Sequence, residues 1–199
     1  MGEVAIKKNH YSVAEYLELE RNASYKSEYY NGEIFAMAGG TPVHSLISSN
    51  VIRAMGNSLI KAKKPCFTYS SDLQIALSKT NYVYPDASVI CGAVEHYEGN
   101  SVAAKNPTLV IEVMSPESTA YDRGEKFEKY RQIDTLREYV LITQHRPLVE
   151  VYFKPENSRF WQYTPYNSLT DTIVLSSIEV TISMEDLYLG VVFPPLPQD

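Results

Sequence analysis

The sequence predicts a single domain of mixed α and β structure, in the α/β (α+β) class, and three observations lead there. Residues 43–59 carry apolar side chains at helical spacing over one long stretch. Short apolar, β-branched and aromatic runs lie on either side, bounded by Gly, Pro, Asn and Ser. No internal repeat, low-complexity tract or linker divides the chain, and 199 residues suit one core, so the domain is taken as 1–199.

Each element has a local reason. Ser12-Val13-Ala14-Glu15 is a capping-box pattern that opens a helix through about Glu20. Residues 26–30 and 33–37 flank Asn31-Gly32, a hairpin signal because both turn residues tolerate positive φ. Gly39-Gly40 breaks the second strand. Thr41 and Pro42 then supply an N-cap and a first helical residue. Val43, Ile47, Val51, Met55 and Leu59 form the buried stripe of the long helix, which ends near Lys61-Ala62-Lys63-Lys64. That basic cluster reads as a helix C-terminal flank, where cations suit the dipole. Strand-like runs follow at 66–69, 72–77 and 82–91, then a polar loop over 92–106. Residues 108–114 form an apolar strand between Pro107 and Pro116, and a charged helix starts at Ser118. Further strands are expected at 138–142, 148–154, 158–163 and 178–182, with Ser183 capping a last short helix.

Composition excludes several classes. No apolar run reaches the roughly 18 residues that span a bilayer, and the first ten residues lack the apolar core of a signal peptide. Cys66 and Cys91 are expected as buried, reduced thiols, which together with the missing signal suggests a cytoplasmic protein without a membrane partner. A formal net charge of −6 counts against a protein that merely coats nucleic acid. It leaves room for an enzyme with a local basic groove. Sixteen tyrosines, each with an apolar ring and a polar tip, suit strand faces or an interface.

The candidate chemistry starts from Glu112, an acid inside an apolar strand. Such a carboxylate is costly to bury unless it is paired or binds a cation. Asp86, after Tyr84-Pro85, stands between two strand runs and could meet Glu112 at one sheet edge. Paired carboxylates share a proton or bind a divalent cation. Mg²⁺, or Mn²⁺ in its place, is favoured by one or two carboxylates with waters and phosphate oxygens. The plainer alternative is that Asp86 caps a turn and Glu112 pairs with an arginine. At ~100° per residue, Arg123, Lys126, Tyr130 and Ile133 share the inward face of the following helix, so Lys126 either snorkels or faces a negative site. Asp122 could simply pair with Lys126 on the helix surface.

Taken together, Tyr25-Lys26-Ser27-Glu28-Tyr29, Asn31-Gly32-Glu33-Ile34, His44, Ser71-Asp72-Leu73, Tyr84-Pro85-Asp86, Ile111-Glu112-Val113 and Asp122-Arg123-Gly124-Glu125-Lys126 resemble the PD-(D/E)XK nuclease superfamily. More closely, the pattern resembles the Uma2 family, a restriction-endonuclease-like group. The matching elements run from about residue 12 to 190, leaving 191–199 as a tail. The resemblance implies a mixed β-sheet flanked by helices, with a metal held by Asp86 and Glu112 and perhaps a Val113 carbonyl. The superfamily places a lysine two residues after that glutamate. Here the position is Met114, and the resemblance implies that Lys126 supplies the cation. It also implies that Glu28 approaches the metal and that Asp72 stands behind the site. Glu28 could equally be an ordinary strand acid, and His44 either a base or a hydrogen-bonded residue of a helix start.

The leading expectation is a Mg²⁺-dependent endonuclease acting on DNA, with Asp86, Glu112, Lys126, Glu28 and His44 as its site, and a homodimer is expected because restriction-like folds often dimerise. Two alternatives stand beside it. One is a catalytically silent nucleic-acid-binding or protein-interaction module. The other is a metal-dependent hydrolase of a small phosphorylated substrate.

Overall fold

The computed structural model describes residues 10–116 and 118–193. The segment 1–9, which the sequence marks as lacking a signal-peptide core, and most of the expected tail, 194–199, lie outside the described residues. The expected class holds: strands in mixed sheets are flanked by helices.

Helix α1 (Val13–Asn22) starts at the expected capping box, with Ser12 and Glu15 each accepting from the other's backbone N–H. Strands β1 (Ser27–Tyr30) and β2 (Glu33–Ala36) form the Asn31-Gly32 hairpin. Gly32 has φ +103°, and a Cβ there would lie 2.3 Å from the His10 ring, so glycine is required twice over. Helix α2 (Pro42–Lys61) is capped by Thr41 and buries Ile47, Val51, Ala54, Met55 and Leu59, as the stripe requires. Lys61 ends the helix, and Lys64 pairs with Glu179.

In the middle of the chain Asp86 stands, as expected, between two strand runs of the stretch 82–91. That stretch is two strands. It breaks at Tyr84-Pro85-Asp86 into β5 (Asn81–Val83) and β6 (Ala87–Cys91), which join different sheets. Proline supplies no ladder donor, so the chain leaves one sheet and enters the other there. The run 72–77 departs from expectation: it begins as a turn, and only β4 (Ile75–Ser78) is strand.

The main sheet has six strands in the order β10-β9-β8-β7-β6-β3. Its members are β3 (Cys66–Ser70), β6, β7 (Leu109–Met114), β8 (Glu138–Thr143), β9 (Val149–Phe153) and β10 (Gln162–Tyr166). Only β7 and β8 run parallel, joined by the helical crossover 119–130. The second sheet has four strands, β2-β1-β5-β4. A hairpin of β11 (Thr172–Leu175) and β12 (Val180–Ser183) leads to the short α5 (Met184–Leu187). On one face of the main sheet Ile111, Val113, Val140, Ile142, Val149 and Val151 pack against α2 and the last hairpin. On the other face Val110, Met114, Tyr139 and Leu141 pack against Phe127, Tyr130 and Ile133. No helix among the described residues is long and apolar enough to cross a membrane.

The cysteines correct the expectation of free thiols: Cys66 and Cys91 are bonded to each other. The antiparallel register of β3 and β6 sets them directly opposite, which their spacing in sequence does not reveal. The ground for expecting a reducing compartment is thereby removed. The bond closes a separation of 25 residues. Its reduction is expected to lower stability by about 3 kcal/mol, read as a lower urea midpoint in dithiothreitol. An unchanged midpoint would mean that the thiols are free in solution.

Part of the tyrosine excess is structural. Tyr16, Tyr29 and Tyr82 cluster beneath α1, the first two stacked with centroids 4.7 Å apart. The fully buried Tyr16 hydroxyl donates to the Ser27 carbonyl (2.6 Å) and accepts from Gln74 Nε2 (2.6 Å). Tyr16→Phe would leave both partners buried and unsatisfied, with an expected loss of roughly 1–3 kcal/mol in urea denaturation.

Candidate active site

The break at Pro85 places Asp86 where the two sheets meet. Ala87 pairs with Ile111, so Asp86 stands across from Glu112 at the end of the β6–β7 ladder. Its Oδ2 accepts the Val113 N–H at 2.7 Å. Its Oδ1 lies 3.0 Å from His44 Nε2, which comes from the first turn of α2. Val113 therefore engages the site through its N–H to Asp86.

Every residue of β7 is buried, Glu112 included. Side chains alternate along a strand, so Glu112 shares its face with Val110 and Met114 and meets the crossover helix. That helix supplies its partners. Lys126 Nζ lies 2.8 Å from Glu112 Oε1, and the buried Tyr130 hydroxyl donates to the same oxygen at 3.0 Å. The ammonium is also 3.6 Å from Glu28 Oε1 and 3.9 Å from Asp122 Oδ1. The inward lysine is thus not snorkelling: it stands among three carboxylates, and its side chain is only 8% exposed.

The crossover is not a plain α-helix. Between α3 (Thr119–Tyr121) and α4 (Phe127–Tyr130), residues Asp122–Lys126 form a π-helical turn. Such turns insert a residue and often occur at functional sites. Here the wider turn buries Asp122 and Lys126 together and rotates Arg123 off the line that α geometry predicts. Arg123 instead grips Glu150 of β9, which also accepts from the Tyr163 hydroxyl. Asp122 is accordingly a buried neighbour of Lys126 rather than half of a surface pair.

Glu28 enters from β1. Its Oε2 accepts from the Tyr30 hydroxyl at 3.1 Å, and that hydroxyl meets the Tyr121 hydroxyl at 2.8 Å. Lys129 lies 3.7 Å above the Tyr30 ring. Of the expected residues, the structure gathers Asp86, Glu112, Lys126, Glu28 and His44. It does not gather Asp72, which is exposed and pairs with Lys26 at 2.6 Å. Sequence reasoning placed Tyr130 in the core and missed its hydroxyl bond to Glu112. The one signal was its spacing of four residues from Lys126.

Electrostatically the cluster is short of positive charge. Glu28, Asp86, Glu112 and Asp122 converge on one lysine and one histidine. The Glu112 carboxyl is raised to about 8, chiefly by burial, with Lys126 pulling it down and Asp86 and Asp122 adding to the rise. Burial also raises Asp122 against the pull of Lys126. Burial works to lower Lys126, but Glu112, Glu28 and Asp122 reverse this and hold its ammonium above the usual range. The hydrogen bond to Asp86 raises His44. A divalent cation between Asp86 and Glu112 fits this deficit and the hard oxygen donors available. Among the described residues no three His, Cys, Asp or Glu side chains form a cage for it.

Removing the lysine alone should strand buried charge. Lys126→Met is expected to destabilise the protein by roughly 3–5 kcal/mol. Adding Glu112→Gln to that variant should restore part of the loss. Urea midpoints in EDTA give the comparison. No recovery in the double variant would mean that Glu28 and Asp122, not Glu112, are the partners that matter.

The sequence is similar to known proteins along most of its length. Residues 13–185 match the profile of the Uma2 family, described as "Putative restriction endonuclease". An uncharacterized protein of Synechocystis sp., slr1290, is 34% identical over 183 residues, covering 92% of this chain and 93% of its own. A second from that organism, sll1609, is 35% identical over 153 residues, covering 77% of this chain and 85% of its own. Among solved structures, a crystal structure of "a putative nuclease belonging to DUF820" from Anabaena variabilis ATCC 29413 aligns with a TM-score of 0.71. The alignment covers 92% of this chain and 99% of that one at 18% identity, so the likeness concerns the fold.

Proposed function

This chain belongs to the Uma2 family of restriction-endonuclease-like proteins, and on that premise we propose that it is a metal-dependent endonuclease hydrolysing DNA phosphodiester bonds. The observation that carries the reading is the buried ammonium of Lys126, 2.8 Å from Glu112 on the strand beside Asp86. A nuclease needs fixed positive charge where the phosphoryl oxygens gain negative charge, and Lys126 provides it from a rigid, water-poor position.

Asp86 and Glu112 would hold Mg²⁺ or Mn²⁺. When bound, such an ion polarises a phosphate oxygen and acidifies water. The chain's own residues do the remaining work. His44 and the Val113 N–H fix the two oxygens of Asp86, so the carboxylate has one orientation. The Tyr130 hydroxyl does the same for Glu112 Oε1. Glu28, itself steadied by Tyr30, keeps Lys126 charged and centred. Met114, Leu141 and Tyr130 exclude water from the inner side.

A second reading draws on Asp86, both of whose oxygens already have partners within the chain. In that reading the cluster is structural, and the protein is a silent nucleic-acid-binding or interaction module.

One experiment separates them. With Mg²⁺ or Mn²⁺ the purified protein is expected to cut supercoiled plasmid DNA. Asp86→Asn and Glu112→Gln should each slow cleavage roughly a hundredfold or more. Direct linearisation would fit a homodimer acting on both strands, and nicking a lone site. If neither ion supports cleavage and calorimetry detects no Mn²⁺ binding, the nuclease reading fails and the silent module stands.

A further inference from the structure

We propose that the N-terminus of α2, together with Gln144, is a seat for a phosphate group of the substrate, next to the one that meets Asp86 and Glu112. The identification of that phosphate with DNA rests on the nuclease reading; the seat itself does not.

A helix of 20 residues presents the positive end of its dipole and its unpaired N–H groups at its start. At α2 these can be accounted for one by one. Pro42 has no N–H. The His44 N–H goes to Thr41 Oγ1 at 3.1 Å, and the Ser45 N–H to the Thr41 carbonyl at 3.0 Å. The Val43 N–H has no partner among the described residues.

The second observation is independent of the helix. Gln144, just beyond β8, is nine-tenths buried. Its Oε1 accepts the Thr41 hydroxyl at 2.8 Å, while its Nε2 has no partner. The amide turns its oxygen to the Thr41 hydroxyl. That hydroxyl donates its proton to Oε1 while accepting from the His44 N–H, and with Oε1 so engaged the unpaired end of Gln144 is its NH₂. A buried amide donor with nothing to receive its protons is disfavoured unless an acceptor arrives. Thr41 thus bonds to Gln144, which keeps an unused NH₂, and stands two residues before Val43, which keeps an unused N–H.

Position names the acceptor. His44 belongs to the same helical turn and lies 3.0 Å from Asp86. Thr143, the residue before Gln144, pairs with Met114 at the end of β7. The two donors therefore share one end of the sheet with the acid pair. Two neutral donors and a helix dipole suit a phosphate oxygen, which phosphodiester chains present repeatedly. The terminal torsion of glutamine is broad, so a modest swing opens Nε2 while Oε1 stays near Thr41.

The test uses the full chain labelled with ¹⁵N, in EDTA so that no cleavage intervenes. Inorganic phosphate is expected to shift the Val43 amide and the Gln144 side-chain amide saturably. A short DNA duplex should shift the same two signals. Gln144→Glu keeps the acceptor for Thr41 but adds a negative charge. It should abolish the phosphate shifts and weaken duplex binding, measured by fluorescence anisotropy, roughly tenfold or more. Should that variant not fold, the shifts in the unaltered protein decide the matter. Two unmoved amides in both titrations would overturn the seat, as would Gln144→Glu binding DNA like the parent. Shifts with phosphate alone would keep the seat and remove DNA as its source. Plasmid cleavage without any shifts would sink the seat alone, and shifts without cleavage would sink only the nuclease.

Discussion

The carboxylate of Glu112 sits in the middle of a strand whose every other side chain is apolar or sulfur-bearing, and the structure is arranged around that placement. A buried acid there must be neutralised or matched by a cation. The match comes from the next element in the chain. The crossover between the parallel strands β7 and β8 passes directly over Glu112 and lowers Lys126 onto it. The crossover is anchored on both sides of that contact: Phe127 stacks on Tyr139 with centroids 4.8 Å apart, and the Tyr139 hydroxyl donates to the Asp122 carbonyl. Packing and charge pairing are therefore one event here. The helix cannot shift without unpairing the lysine, and the lysine cannot leave without exposing the acid.

The second constraint is the corner at Pro85. One short break divides β5 from β6 and so assigns them to different sheets. Asp86 is delivered to the main sheet, while β5 holds β1, which carries Glu28, against it through the smaller sheet. Helix α2 closes the remaining side with His44. Acids from three separate parts of the chain thus meet because two sheets share a corner. Their mutual repulsion is tolerated because a single ammonium stands among three of them. This surplus of acid over cation is the property that makes a divalent ion a chemically sensible guest.

Much of this was legible in the sequence where local chemistry decides structure. The capping box at Ser12, the Asn31-Gly32 turn and the four-residue stripe of α2 are short-range signals, and they appear as read. Asp86, Glu112 and Lys126 could be singled out because charge in apolar runs needs a reason. What escaped depends on contacts that no short window contains. The register of β3 and β6 decides that Cys66 faces Cys91. The π turn, which buries Asp122 with Lys126, is a choice of hydrogen bonding that no short window contains, and α spacing misassigned Arg123 for that reason. Asp72 looks like a site acid by its neighbours in sequence, yet it falls on an exposed turn. The strand expected at 158–163 begins later, at Gln162, because β10 is an exposed edge with little apolar alternation to fix it.

Met114 shows what changes when a lysine moves from a strand to a helix. Two residues beyond Glu112, it points to the same face by the pleat of β7 and is fully buried in the core. A lysine at that position would take its place from the backbone of the strand that carries the acid. Lys126 takes its place from a separate element, which the packing of Phe127, Tyr130 and Tyr139 and the bonds to Glu112 and the Asp122 carbonyl hold against the strand. The arrangement gives the ammonium access to Glu28 and Asp122 as well as Glu112, which a strand lysine fixed beside Glu112 would not gain by the same route. The outcome is a cation shared by several acids rather than owned by one. The position of charge in this site is thus a property of the tertiary core, and substitutions in that core act on the site as directly as substitutions of the acids themselves.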